Sequence, residues 1–532
     1  MSKQIIDPIQ LRHGAKLTNR LVLSPMYTFS GLEGGFVSDD TLRYYGARSQ
    51  AASLLITEFH YVSPSGGPCY QTGYPVQLGI YSDDHIEGER KLATALQKDG
   101  NKAILQLHHG GIAASGRALK GEEVLAPSAL DFSFLPYPVR ELTDEEILEI
   151  IKDFGRAVKR AVQAGFSGVE IHGANHYLLQ QFFSSTSNVR QDRWGGTLEK
   201  RMAFPLAVVE EVKRAAAMYA PEDFIIGYRI SPDEIHEDQV GYTYEEAKLL
   251  VKEIVKHELD YIHLSLLGGY ASKPAGSDKS YADHFKEVMD EQTKLITIGG
   301  VFSQEDAEAA IEDTAADLVA IGRGTLIDPL FGYKIQTGQG AEIVHEIISE
   351  SLTYEDYLDM EFLSRKLGVH MHAITKDGIY TANRNIGKYT VHESTLVSMP
   401  IFYRTPEEMA GKEIVKCMFI DEPEILDAAI EKIPAEFYER YSINKSAPFY
   451  LELLKKNVDK GSAITHLAEK LGLTKDETMA IGDEENDRAM LEVVGNPVVM
   501  ENGNPELKKI AKYITKTNDE SGVAHAIRTW VL

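Results

Sequence analysis

The chain has 532 residues, of which 43% are hydrophobic and 25% charged, and a formal net charge of −25. That length is too great for one ordinary core and predicts roughly two to four domains; the acidic balance argues against a nucleic-acid binder, which needs a basic face to displace counterions. Only Cys69 and Cys417 are present, which excludes a disulfide framework, a zinc–thiolate cluster and a Cys-ligated iron–sulfur centre.

The N-terminus, MSKQIIDPIQLRHG, has no apolar targeting core, and nowhere does an uncharged apolar run of about 18 residues occur. A cytoplasmic protein acting on a small molecule, with no membrane partner, is expected. Whether it assembles with copies of itself stays open.

From residue 21 to about 330, short apolar runs alternate with amphipathic helical patterns. The runs are RLVLSPM, SLLITEF, KAILQLHH, SGVEIHG, FIIGYRIS, YIHLSLLG, LITIGGV and LVAIGRG. Between them, TDEEILEIIKDFGRAVKRAVQAG opens with a capping box from Thr143 to Glu146 and closes on Gly165. Eight strands with intervening helices predict a (β/α)₈ barrel over residues 1–345, with a doubly wound open sheet as the competing layout. A helix is expected late in the segment GYKIQTGQGAEIVHEIISE, and the pattern changes at a boundary near 340–352.

Active sites of such barrels lie where the strands end. The first run ends in Ser24-Pro25-Met26-Tyr27, the third in Gln106, His108 and His109, and the fifth in Arg229. The fourth runs into His172-Gly-Ala-Asn175-His176-Tyr177, imidazole, amide and phenol where a polar turn of Gly, Ser or Asp is usual. The seventh and eighth end in Gly299-Gly300 and Gly322-Arg323-Gly324. Paired glycines beside Gly-Arg-Gly suit a phosphate, because backbone N–H groups can approach the anion while the Arg neutralises it.

In this order the strand ends resemble the Old Yellow Enzyme family of FMN-dependent NAD(P)H oxidoreductases, over residues 1 to about 345. The resemblance implies flavin contacts from the backbone of Pro25 and Met26 and from Gln106, with Arg229 at the N1/O2 edge of the ring. It places the FMN phosphate on Gly300, Gly322 and Arg323. HGANHY resembles the family's HxxNxY, implying that His172 and Asn175 grip the carbonyl or nitro oxygen of an activated alkene and that Tyr177 supplies the proton. Tyr27 stands where the family faces the flavin and the substrate, with packing as the equal alternative. His108 and His176 are open between structural and functional roles. One departure is Ile112, which stands where much of the family has Arg.

Residues from about 352 resemble the Cof-type phosphatases of the haloacid dehalogenase superfamily. An α+β cap is expected over 352–455 and a partial Rossmann-like core over 456–532. The carriers are Lys460 in NVDKGSAI and Asp483 and Asp487 in IGDEENDRAM, which the resemblance assigns to the phosphoryl group (Lys460) and to Mg²⁺ (both aspartates). The family's nucleophile motif, DxDGT, is absent where it should stand, so phosphatase activity is not expected. The reading is an ene-reductase using NADH or NADPH. Its rivals are a sugar-phosphate-binding or regulatory fusion with the barrel as scaffold, and a flavin-free barrel isomerase or aldolase.

Overall fold

Eight β-rich runs become parallel strands that close on themselves: β1 (Leu21–Leu23), β2 (Leu54–Tyr61), β3 (Lys102–His108), β4 (Gly168–Gly173), β5 (Ile225–Ile230), β6 (Tyr261–Leu264), β7 (Lys294–Ile298) and β8 (Leu318–Ile321). The computed structural model describes residues 3–531 except 70–76, 132–134, 237–238, 344–350, 398 and 457. Neighbours pair in chain order and β8 closes onto β1 through Val319–Leu21, Ala320–Val22 and Ile321–Leu23. The barrel, not the open sheet, is therefore the architecture. β1 is shorter than its apolar run because Pro25 has no N–H to give a neighbour.

Alternation along the strands sorts their side chains into two environments. Ala103, Leu105 and Leu107 of β3, Val169 and Ile171 of β4, and Ile226 and Tyr228 of β5 belong to the large apolar cluster shared with the surrounding helices. The opposite face points inward. Near the strand beginnings it is apolar: Val22, Leu54, Ile104, Ile225, Tyr261 and Leu318 form a second cluster with Leu11 and Leu17. Leu17 lies in, and Leu11 next to, a short antiparallel ribbon, Ile9–Gln10 with Lys16–Leu17, that packs into that end of the barrel. Each aliphatic side chain buried this way contributes about 1.5–3 kcal/mol.

The helix Asp144–Ala164 has the expected Thr143–Glu146 capping box and ends on Gly165 in the left-handed region, φ 89°. Ile147, Ile150, Ile151, Phe154, Val158 and Ala161 recur at helical spacing and are buried. Gly168, where β4 begins, admits no side chain: a Cβ would lie 2.3 Å from the Ile225 carbonyl oxygen.

Two units divide the chain, Met1–His345 and Glu346–Leu532. Most of the helix expected before the boundary falls in 344–350, outside the described residues. In the second unit, the helix Tyr354–Leu367 precedes a six-stranded sheet built of β9 (His370–Thr375), β10 (Ile379–Thr381), β11 (Ile401–Tyr403), β12 (Ile414–Ile420), β13 (Tyr441–Ala447) and β14 (Tyr450–Lys455). Its order is β11-β10-β9-β12-β14-β13. A separate parallel sheet runs β15-β16-β17, formed by Met479–Gly482, Asn496–Met500 and Tyr513–Thr515. Among the described residues β15 pairs on one side only. Among the described residues no helix is long and apolar enough to cross a membrane.

Candidate active site

Inside the barrel, above the apolar floor, lies a layer of polar side chains. Glu170 of β4 is fully buried, and its two oxygens accept from Gln106 Nε2 of β3 at 2.6 Å and pair with His263 Nδ1 of β6 at 2.9 Å. Burial alone would raise this carboxyl, but His263 first, then Arg229 and Gln106, outweigh it and hold Glu170 below the ordinary carboxylate value. A buried carboxylate thus survives because it is fully partnered.

One step nearer the strand ends, the register pairs His172 of β4 with Arg229 of β5, and Arg229 with His263 of β6. Arg229 Nη2 donates to Ser265 Oγ at 3.2 Å, and Ser265 Oγ donates to Asn175 Oδ1 at 2.7 Å. The relay takes up the amide oxygen of Asn175 and leaves its NH₂ as the group to be offered outward. Asn175 and His176 sit in the left-handed region at φ 58° and 60°, a conformation Asn tolerates better than most residues. Both side chains are exposed.

Burial and the charge of Arg229 push His172 well below its ordinary pKa, so the ring is neutral. Burial raises the Tyr177 phenol, which stays protonated. The Tyr177 ring stands edge-on to His108, centroids 4.3 Å apart, with His172 at 5.1 Å and Phe59 at 5.3 Å. His108 is also held neutral by burial, and its Nε2 faces Cys69 Sγ at 3.4 Å. Tyr27 stacks on Phe29 and donates its hydroxyl to the Cys69 carbonyl at 3.0 Å.

Several buried polar atoms lack a partner: Gln106 Oε1, Arg229 Nε, Thr297 Oγ1, His172 Nδ1 and His108 Nδ1. Orphans of this kind, gathered inside one barrel, fit a polar planar group such as a flavin ring. At the end of β7, Gly299 and Gly300 adopt φ 95° and 77°. Gly300 and Gly322 each lie two residues past the paired Ile298 and Ala320 of neighbouring strands. A Cβ on Gly322 would come within 3.3 Å of Met26 Sδ, tying the end of β8 to the Pro25-Met26 turn. Arg323 is exposed and lies 5.4 Å over the Phe302 ring; among the described residues it has no carboxylate partner.

Pro25, Met26, Tyr27, Gln106, His172, Asn175, Tyr177, Arg229, Gly300, Gly322 and Arg323 therefore all stand at or just past the strand ends of one barrel. Ile112 is buried and lines a cavity of about 710 Å³ beside Asn175 and His176. Glu170, His263 and Ser265, which orient the expected residues, escaped the sequence reading. Lys460, Asp483 and Asp487 meet in the second unit. Lys460 Nζ is 2.5 Å from Asp487 Oδ1, while Asp487 Oδ2 accepts the Asp483 N–H at 2.9 Å. Asp487 thus accepts from Lys460 on one oxygen and from the Asp483 backbone on the other.

The profile of the NADH:flavin oxidoreductase / NADH oxidase family matches residues 4–342. The chain belongs to this family. YqiG of Bacillus subtilis, provisionally named an NADH-dependent flavin oxidoreductase, is 40% identical over 343 residues, covering 64% of this chain and 90% of its own length. The solved structure of morphinone reductase in complex with tetrahydroNAD superposes with a TM-score of 0.53 at 27% identity, covering 64% of this chain and 92% of that one. Residues 334–527 match the haloacid dehalogenase-like hydrolases. A Streptococcus pyogenes protein, provisionally named a phosphatase, is 75% identical over 194 residues, covering 36% of this chain and 72% of its own length. The protein is thus a flavin-oxidoreductase barrel joined to a haloacid dehalogenase-like region.

The buried histidines also set a pH dependence. Burial pushes His109 down to about 3. As pH falls below about 6.5 the unfolded chain protonates this ring and the folded barrel does not, so its contribution to stability is present above 6.5 and declines on acidification. The stability difference between the wild type and His109→Gln, measured by denaturant unfolding, should shrink by about 1.6 kcal/mol in all between pH 6.5 and 5, most steeply at the lower end. A constant difference would show that His109 titrates normally.

Proposed function

We propose that the barrel is an FMN-dependent ene-reductase, reduced by NADH or NADPH and acting on activated C=C bonds of α,β-unsaturated carbonyl or nitro compounds. The observation that carries this reading is the set of neutral donors at the end of β4: a dry His172 with an unpartnered ring nitrogen, an Asn175 whose amide oxygen is already taken, and a protonated Tyr177. When bound, FMN supplies the hydride chemistry that no side chain can. Gln106 and Arg229 would face its ring from the barrel interior, with the Pro25-Met26 backbone and Tyr27 at the end of β1. Gly300, Gly322 and Arg323 would hold its phosphate.

His172 and Asn175 would donate to the carbonyl or nitro oxygen of the substrate. Negative charge builds on that oxygen as the β-carbon accepts hydride, and two fixed donors in a water-poor site stabilise it. Neutral His172 suits this task, since it offers an N–H without a proton that must be lost. Tyr177 then delivers a proton to the α-carbon as general acid. Tyr177→Phe should slow reduction of 2-cyclohexenone by about 10²- to 10⁴-fold in stopped-flow experiments and leave reduction of the chromophore by NADH nearly unchanged. Equal slowing of both half-reactions would remove Tyr177 from the proton-donor role.

For the second unit we infer binding without phosphoryl transfer. No DxDGT nucleophile occurs in the sequence, and the aspartyl intermediate cannot form without that carboxylate. With Mg²⁺ supplied, the full chain should hydrolyse p-nitrophenyl phosphate no faster than the Asp483→Ala variant. Robust turnover lost on that substitution would establish a working phosphatase.

A further inference from the structure

At the mouth of the cavity, beside the residues assigned to hydride and proton transfer, three side chains converge that those roles do not use. His176 belongs to the loop after β4. Glu234 belongs to the ribbon formed by Glu234–Ile235 and Val240–Tyr242, and His236 follows its first strand directly. His176 Nδ1 is 3.6 Å from Glu234 Oε2, His236 Nε2 is 3.9 Å from Glu234 Oε1, and one ligand atom from each residue lies within 4.8 Å of the others. The two imidazole rings are 5.5 Å apart and inclined by 31°.

The carboxyl group between them is built in. Glu234 is 4% exposed, and it accepts from Gln180 Nε2 at 2.8 Å, Ser184 Oγ at 2.7 Å and Thr186 Oγ1 at 2.8 Å. All three donors are neutral, and among the described residues no Lys or Arg pairs with Glu234. A buried carboxyl group held by neutral donors and aimed at two exposed imidazoles calls for a cation between them.

We propose that His176, Glu234 and His236 bind a divalent transition ion of the zinc class. Two imidazoles and one carboxylate are the donor set such ions prefer, whereas Mg²⁺ and Ca²⁺ take oxygen. In a tetrahedral site with bonds near 2.1 Å, ligand atoms stand roughly 3.4 Å apart. The side chains need close by about 1.5 Å or less, and both histidines are half exposed and free to turn, at 55% and 54% of their side-chain surface. Three protein ligands leave a fourth position, and the cavity lined by Ile112, Asn175 and Thr186 is the space it opens into. A bound ion joins the β4 loop, which carries Asn175 and Tyr177, to the 234–242 ribbon. The site stands independently of the flavin assignment.

The test is calorimetric titration of the full, chelator-treated chain with Zn²⁺ in excess Mg²⁺. One Zn²⁺ per chain is expected, weakened at least roughly 100-fold in His236→Ala and in Glu234→Gln, and unchanged in His466→Ala on an exposed helix of the second unit. His236 is exposed, so its variant remains decisive if Glu234→Gln fails to fold. No stoichiometric Zn²⁺ uptake, or uptake that His236→Ala leaves unaltered, overturns the proposal.

Discussion

Everything at the mouth of the barrel rests on one buried carboxylate. Glu170 points into the barrel interior, where an unpaired charge would cost several kcal/mol, and its partners come from three different strands. His263 and Gln106 bond it directly, and together with the nearby charge of Arg229 they keep it ionised despite full burial. Satisfying Glu170 therefore fixes which way Gln106 turns its amide and leaves Oε1 without a partner inside the barrel. It also keeps Arg229 charged in a place where burial lowers its pKa.

From Arg229 the order passes outward. Ser265 accepts from the guanidinium and donates to Asn175, so the amide at the exposed end of β4 is oriented by a charge on the next strand. His172 lies beside the same guanidinium, which together with burial strips it of its second proton. A positively charged histidine could not share this space with Arg229. The site's electrostatics thus follow from barrel register: acid below, guanidinium above it, neutral donors at the rim.

The barrel was legible because its strands are buried on both faces and read as apolar runs, and because their ends carry polar residues in an order that a known family shares. The apolar runs overstate some strands. β1 stops at Leu23 before Pro25, and β6 stops at Leu264, ahead of the Gly268-Gly269 turn. The polar layer was not legible. Glu170 and His263 are 93 positions apart, and nothing local in VEIHG or YIHLS says that an acid and an imidazole will face each other across a closed sheet. Ser265 is equally ordinary in sequence. His176 and His236 were separated by the same long-range folding, and only the loop after β4 meeting the 234–242 ribbon brings them to one carboxyl group. In the second unit, Lys460, Asp483 and Asp487 were readable as a set, but their bonding to one another was not.

In the proposed function this polar layer and the glycine-rich strand ends hold FMN in the barrel. The visible spectrum of the purified full chain, with mass identification of whatever chromophore heat releases, tests it most directly. A yellow protein carrying one FMN per chain, bleached by NADH in the absence of oxygen, is expected. A colourless chain that takes up no FMN when it is supplied in excess would contradict it.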